Sequence, residues 1–178
     1  MKKSVKVILI CAASVLIAYA AIWSIYVVIR YQPFVKALEG QNYLEEDRYT
    51  YYVKKPTFPS FTGNLAISDN TKITLDEGDD IYSYLIIWPR FWGGYGVAAN
   101  VGKTMVDYDD RQSHTDVYGI MLDENRKPDY SVPDVYEIYT ENKELFDSNM
   151  YRIDNLYEKA YEKWNILGDV VKTEGAEL

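Results

Sequence analysis

The chain has 178 residues, with 19 Lys plus Arg against 27 Asp plus Glu, one His and one Cys. A single cysteine excludes an intramolecular disulfide and any multi-cysteine metal cluster, and a single histidine excludes a multi-histidine metal site. The first 30 residues carry Lys2, Lys3, Lys6 and Arg30 and no acid, which leaves a formal balance of −12 over 31–178; a field of that sign repels phosphate backbones and excludes nucleic acid as a partner for the bulk of the chain.

Val7 to Ile29 is a run of 23 residues without a charge. At about 1.5 Å per residue it spans roughly 34 Å as a helix, enough to cross a hydrocarbon core of about 30 Å. Lys2, Lys3 and Lys6 precede it, so the positive-inside rule keeps the N-terminus cytoplasmic and sends 31–178 across the cell membrane. Trp23, Tyr26 and Tyr31 gather at the outer end, where amphipathic rings favour the headgroup layer. Two rival readings are weaker. Ala18-Tyr19-Ala20 is an A-x-A pattern, but cleavage after it leaves Ala21 to Ile29 as an apolar free terminus. Cys11 follows Ile10 rather than a small residue, which argues against lipidation. Ser14 with Ala18 and Ala20 with Ser24 are small pairs at i, i+4 that suit close approach of a second helix.

Past the membrane, Pro33–Leu38 reads as a short helical turn stopped near Gly40. Arg48–Val53 is rich in strand formers. Gly63–Ser68 reads as a strand, Asp69-Asn70 as a turn, and Thr71–Leu75 as a second, alternating strand. Asp76–Asp80 is an acidic turn. Ile81–Trp88 is the most apolar stretch outside the membrane and reads as a central strand covered on both faces. Gly94–Val101 and Val117–Leu122 are further strands. Asp107–Asp116 and Asp123–Val132 read as polar loops. The period then changes. Pro133 suits a helix start, and Val135, Ile138 and Leu145 mark one face to about Phe146. Asp147-Ser148-Asn149 reads as the cap of a second helix. Its face is Ile153, Leu156, Tyr157, Ala160, Tyr161, Trp164 and Leu167, and Gly168 ends it.

The expected architecture is α+β: an N-terminal transmembrane helix, then a mainly antiparallel sheet of five or six strands with two C-terminal helices on one face. The boundaries are a cytoplasmic tail (1–6), a signal anchor (7–29), a juxtamembrane segment (30–47), an extracytoplasmic domain (48–168) and a flexible acidic tail (169–178).

Catalytic and metal motifs fail on their own spacing. Gly102-Lys103-Thr104 resembles the end of a phosphate-binding loop, but position 97 is Val where the motif needs glycine, so no nucleotide is expected. Asp107, Asp109 and Asp110 lack the glycine and glutamate of a calcium loop, with Gln112 and Tyr118 in those places. His114 stands beside Ser113 and Asp116, yet triad members converge from separate parts of a fold. No cofactor is implied. Carboxylate pairs could support a surface hydrolase, but 27 acids make such pairs uninformative.

Trp88-Pro89-Arg90-Phe91-Trp92-Gly93-Gly94-Tyr95-Gly96 is the most unusual stretch. Its glycines and proline allow a tight turn. Trp88, Arg90, Phe91, Trp92 and Tyr95 either close the end of the core or offer a platform to a protein or glycan partner. The membrane anchor is Val7 to Ile29, with Trp23 and Tyr26 as interfacial residues, and the lipid bilayer is the partner of 7–29. The sequence therefore reads as a single-pass, membrane-anchored, non-enzymatic binding domain of unknown ligand. The short Lys-rich anchor and the lack of disulfides fit a bacterial source. An accessory subunit of a membrane complex is the alternative, and a carboxylate-based hydrolase a weaker one.

Overall fold

A computed structural model describes residues 3–74, 80–107 and 112–168. The acidic turn at 75–79, the acidic tip at 108–111 and the tail at 169–178 lie outside those residues, as do the side chains of Asp107 and His114. The fold is α+β, as expected. Helix α1 (Lys3–Arg30) is followed by α2 (Gln32–Ala37), six strands and two final helices. The strands are β1 (Tyr43–Glu46), β2 (Tyr49–Lys54), β3 (Asn64–Thr74), β4 (Asp80–Pro89), β5 (Tyr95–Asp107) and β6 (Gln112–Leu122). They pair antiparallel in chain order. Helices α3 (Val135–Glu141) and α4 (Lys143–Trp164) close the chain. Helix α1 is long and apolar enough to cross a membrane.

The pleat divides the sheet into two unlike faces. On one, Tyr51, Ile67, Leu85, Ala99 and Ile120 stand side by side across five strands, next to the row Val53, Leu65, Ile87, Val97 and Leu122. All ten are buried. Helix α4 covers them with Phe146, Ile153, Leu156, Tyr157, Ala160 and Trp164. Trp164 meets Phe34 and Tyr51 edge-on, at ring separations of 6.2 and 5.6 Å. The other face has no helix over it. Along β4, burial alternates residue by residue, with Tyr82, Tyr84, Ile86 and Trp88 only partly covered. Ile81–Trp88 is thus covered on one face, not two. Part of the open face covers itself: the Tyr82 ring lies across Gly102, where a Cβ would stand 2.1 Å from it.

Other expectations are corrected. Asp69-Asn70 is not a turn between two strands. It opens a bulge within the single strand β3, where pairing with β4 lapses between Asp69 and Ile73. Polar residues serve turns and bulges alike. Much of Asp107–Asp116 is strand, with Thr115 and Asp116 paired to Thr104 and Lys103; β6 borders the sheet, and an edge strand keeps polar side chains. Gly102-Lys103-Thr104 accordingly lies in mid-strand on β5. The helical break falls at Asn142, so Asp147–Asn149 lie inside α4. Helix α4 ends at Asn165 in a left-handed conformation, before Gly168, and Tyr161 is exposed. The stretch 30–47 contributes to the folded body, since α2 buries Phe34 and Val35 and β1 joins the sheet.

The bulge leaves carbonyls that β4 does not bond, and one buried cation reaches them. Arg152 of α4 donates to the carbonyls of Thr71 at 2.7 Å, Ile81 at 3.0 Å and Asp69 at 3.3 Å. Its Nε lies 3.5 Å from the Asp69 carboxylate, and both side chains are 1% exposed. Asp69 also accepts from the Thr71 amide at 2.9 Å. Removing Arg152 strands the three carbonyls and, among the described residues, leaves the buried Asp69 carboxylate only the half-exposed Arg48 as a cation, at 3.7 Å. Arg152→Met should therefore cost about 3–5 kcal/mol in a denaturant or thermal melt. Arg152→Lys should recover only part of that loss, because an ammonium lacks the planar fork. A parental melt for Arg152→Met would mean that α4 is held by its apolar seam alone.

Candidate functional site

The five aromatic-turn residues do not form one platform. Gly93 and Gly94 take positive φ values of 110° and 71°, which close the β4–β5 turn tightly. Trp88 lies on the open sheet face, opposite Gly96. Met121, Arg90 and the Trp88 ring all come within 3.8 Å of where a Gly96 Cβ would be, an ordinary packing distance. Tyr95 turns the other way, toward Phe34 at a ring separation of 6.4 Å, and packs against the core. Burial raises its phenol pKa. Phe91 points toward α1, and Trp92 stands exposed beside it.

The contact with the anchor is a collar of four α1 residues at helical spacing. Tyr19, Trp23, Tyr26 and Arg30 fall at i, i+4, i+7 and i+11, one stripe of the helix. The Tyr19 hydroxyl donates to the Pro59 carbonyl at 2.6 Å, and the Trp23 indole donates to Ser60 at 2.7 Å. Arg30 donates to the carbonyls of Arg90 at 2.8 Å and Gly94 at 3.4 Å. Tyr26 is buried, with a long 3.5 Å bond to the Pro89 carbonyl. Around these bonds the rings interlock. Phe58 meets Tyr19 and Trp23 edge-on at 5.8 and 5.6 Å. Phe61 meets Tyr19 at 5.6 Å and Tyr26 at 5.2 Å. Phe91 stacks on Tyr26 at 5.2 Å and touches Phe61 and Trp92. Loop 57–62 was missed from sequence as a site, although Phe58 and Phe61 bracket a proline in an otherwise polar stretch.

Two hollows flank this region. One, of about 400 Å³, lies beside the anchor and is lined by Trp23, Tyr52, Lys54, Lys55 and Phe58 among others. The second, of about 630 Å³, lies between Arg90, Tyr95, Asp123, Asp129 and Tyr157. Hydrogen bonds from Ser131 hold the Asp129 carboxyl below its usual range. Among the described residues no group of three His, Cys, Asp or Glu is placed to hold a metal ion. No protein-family model, curated protein or solved structure matches this chain.

Trp92 is 93% exposed and makes one ring contact, with its neighbour Phe91. Trp92→Ala should leave the melting temperature of the detergent-solubilised protein unchanged, since an exposed substitution away from packed groups moves stability by about 0.5 kcal/mol or less. A fall of several degrees would place the ring in the core instead.

Proposed function

We propose that this chain is a single-pass, membrane-anchored protein whose extracytoplasmic domain binds a partner and performs no chemistry of its own. The observation that carries the reading is the open sheet face. Across it run Tyr43, Tyr52, Ala66, Ile86, Ala98 and Met121 in one row. Tyr82 and Tyr84 stack beside that row at 6.3 Å, and Trp88 flanks it. Such a surface is a sheet face rather than an enclosed cavity. It offers aromatic anchors of the kind that dominate protein interfaces, whereas a small-molecule site is usually enclosed. The acidic balance of the domain favours a neutral or cationic partner.

The accessory-subunit reading draws support from the collar, which fixes the domain at one height above its own anchor. A subunit of a membrane complex needs that fixed height, and a loosely tethered receptor does not. The hydrolase reading draws none. A general acid needs a raised carboxyl pKa, and Asp129 and Asp147 are not candidates for that role, since hydrogen bonds displace both downward.

Two measurements test this. Protease added to intact cells should digest the domain and leave a short anchor fragment; full protection in cells shown to be accessible would reverse the orientation. Ile86→Glu, at the centre of the open face, and Tyr52→Glu, at its exposed margin, should each remove proteins that co-purify with the full chain from native membrane. The domain should still melt cooperatively. An unchanged set of co-purifying proteins with both variants would overturn the open face as the binding surface.

A further inference from the structure

We infer that the domain does not merely stand on the membrane but dips two loops, 57–62 and 90–94, into the lipid leaflet on its own side. The inference rests on the reading that α1 spans a bilayer.

Height along α1 is the first argument. Tyr19 lies ten residues before Ile29, about 15 Å along the helix axis, well inside the charge-free run from Val7 to Ile29. Yet Tyr19 is bonded to Pro59 and Trp23 to Ser60. Loop 57–62 therefore hangs beside the anchor at a level that lipid must reach. The sides of α1 that the loops leave bare carry Ile22, Ile25, Val28 and Ile29, all exposed. Water over those four would waste an apolar face that lipid covers without cost. One face of this segment is closed by the loops, and the other needs acyl chains at equal height.

The loops are also built for lipid. Residues 56–62 and 91–94 carry no charge. Phe58 and Phe91 are about half-exposed, and Trp92 is almost fully so. Rings of this kind prefer the lipid boundary to either bulk phase. Non-helical backbone is tolerated at membrane depth only where its polar groups are satisfied by protein, and here α1 and the loops themselves satisfy several of them. The carbonyls of Pro59, Ser60, Arg90 and Gly94 all accept from α1 side chains. The Ser60 amide donates to Thr57 and the Gly93 amide to Arg90, the Thr62 amide donates to the Ser60 hydroxyl, and Pro59 has no amide to satisfy. Lys54 and Lys55 precede the first loop, and Arg90 opens the second. Lys54 and Lys55 mark the upper margin, at the level where headgroups would lie.

The two tips should differ in depth. Phe58 sits between Tyr19 and Trp23, whereas Trp92 reaches α1 through Phe91 at Tyr26. Five residues of helix separate those levels, about 7 Å.

The test uses the full chain, with Cys11→Ala, in phosphatidylcholine vesicles containing lipids with a nitroxide at a shallow or a deep acyl position. Single cysteines carry a fluorophore: Phe58→Cys, Trp92→Cys, Val15→Cys in the mid-span, and Tyr136→Cys on exposed α3. Labels at 58 and 92 should each lose about half their emission or more, with 58 favouring the deeper quencher, while 136 stays bright. Because Trp92 is exposed, Trp92→Cys keeps the collar intact even if Phe58→Cys loosens it. Bright labels at 58 and 92 with a quenched label at 15 would overturn the immersion and leave the anchor standing. An unquenched label at 15 would overturn the anchor and the immersion with it. Quenching at 136 equal to that at 92 would also overturn the proposal, since the loops would then hold no privileged depth.

Discussion

A backbone carbonyl shut away from water must find a donor, and this fold meets that constraint with long side chains borrowed from distant helices. Leaving such a group unpaired costs about 1–3 kcal/mol. The β3 bulge leaves its carbonyls to Arg152, more than 80 residues further along the chain, which also reaches a carbonyl of β4. The loops 57–62 and 90–94 leave theirs to Tyr19, Trp23 and Arg30. In each case a helix supplies to irregular backbone what a neighbouring strand would otherwise provide. These bonds also fix geometry. Arg152 sets the rotation of α4 about its axis, so that Ile153, Leu156 and Ala160 face the sheet. The collar does the same for α1.

It follows that the anchor is part of the folded body rather than a tether. Tyr31 is the one residue between α1 and α2, and it is fully buried. Its amide continues the helical bonding, donating to Val27 at 3.0 Å. Helix α2 then buries Phe34 and Val35 in the same core as Trp164. No flexible spacer intervenes at which the domain could swing. A change in its pose relative to α1 would break the collar bonds and pull Phe34 from the core. The orientation of the open sheet face toward a partner is thus a property of the fold.

Much of this was legible because periodicity survives in a sequence. The α4 seam, the charge-free span and the alternating strands each follow from residue spacing. The failures share a cause: a residue type that serves two structures. Asp69-Asn70 suits a turn and a bulge equally. The polar residues before Val117 suit a loop and an edge strand equally. Ile81–Trp88 was continuous enough to imply two covered faces, whereas half of it lines a face on which aromatic residues lie open or cover glycines. Arg152 was passed over because a lone cation on a helix is usually solvated, yet it lies three residues after Asn149 and four before Leu156, inside the seam. A cation there has to be paired. The collar was half-visible: Trp23 and Tyr26 were read as interfacial rings, but their stripe with Tyr19 and Arg30 points at protein, and nothing local names the loops it meets.

The collar also decides how a second membrane helix can approach α1. Successive residues turn by about 100° around a helix. Tyr19, Trp23, Tyr26 and Arg30 cluster within roughly 60° of one another on that wheel. The small pair Ser14 and Ala18 falls on the far side, together with Ile25. The Ser14 hydroxyl is turned inward, onto the Ile10 carbonyl at 2.9 Å, so it presents little polar surface there. Ala20, of the second small pair, is already partly covered on the domain side. At the level of the collar, a helix packing on α1 is confined to the face of Ala18 and Ile25, because the stripe of Tyr19, Trp23, Tyr26 and Arg30 is already taken by the protein's own loops.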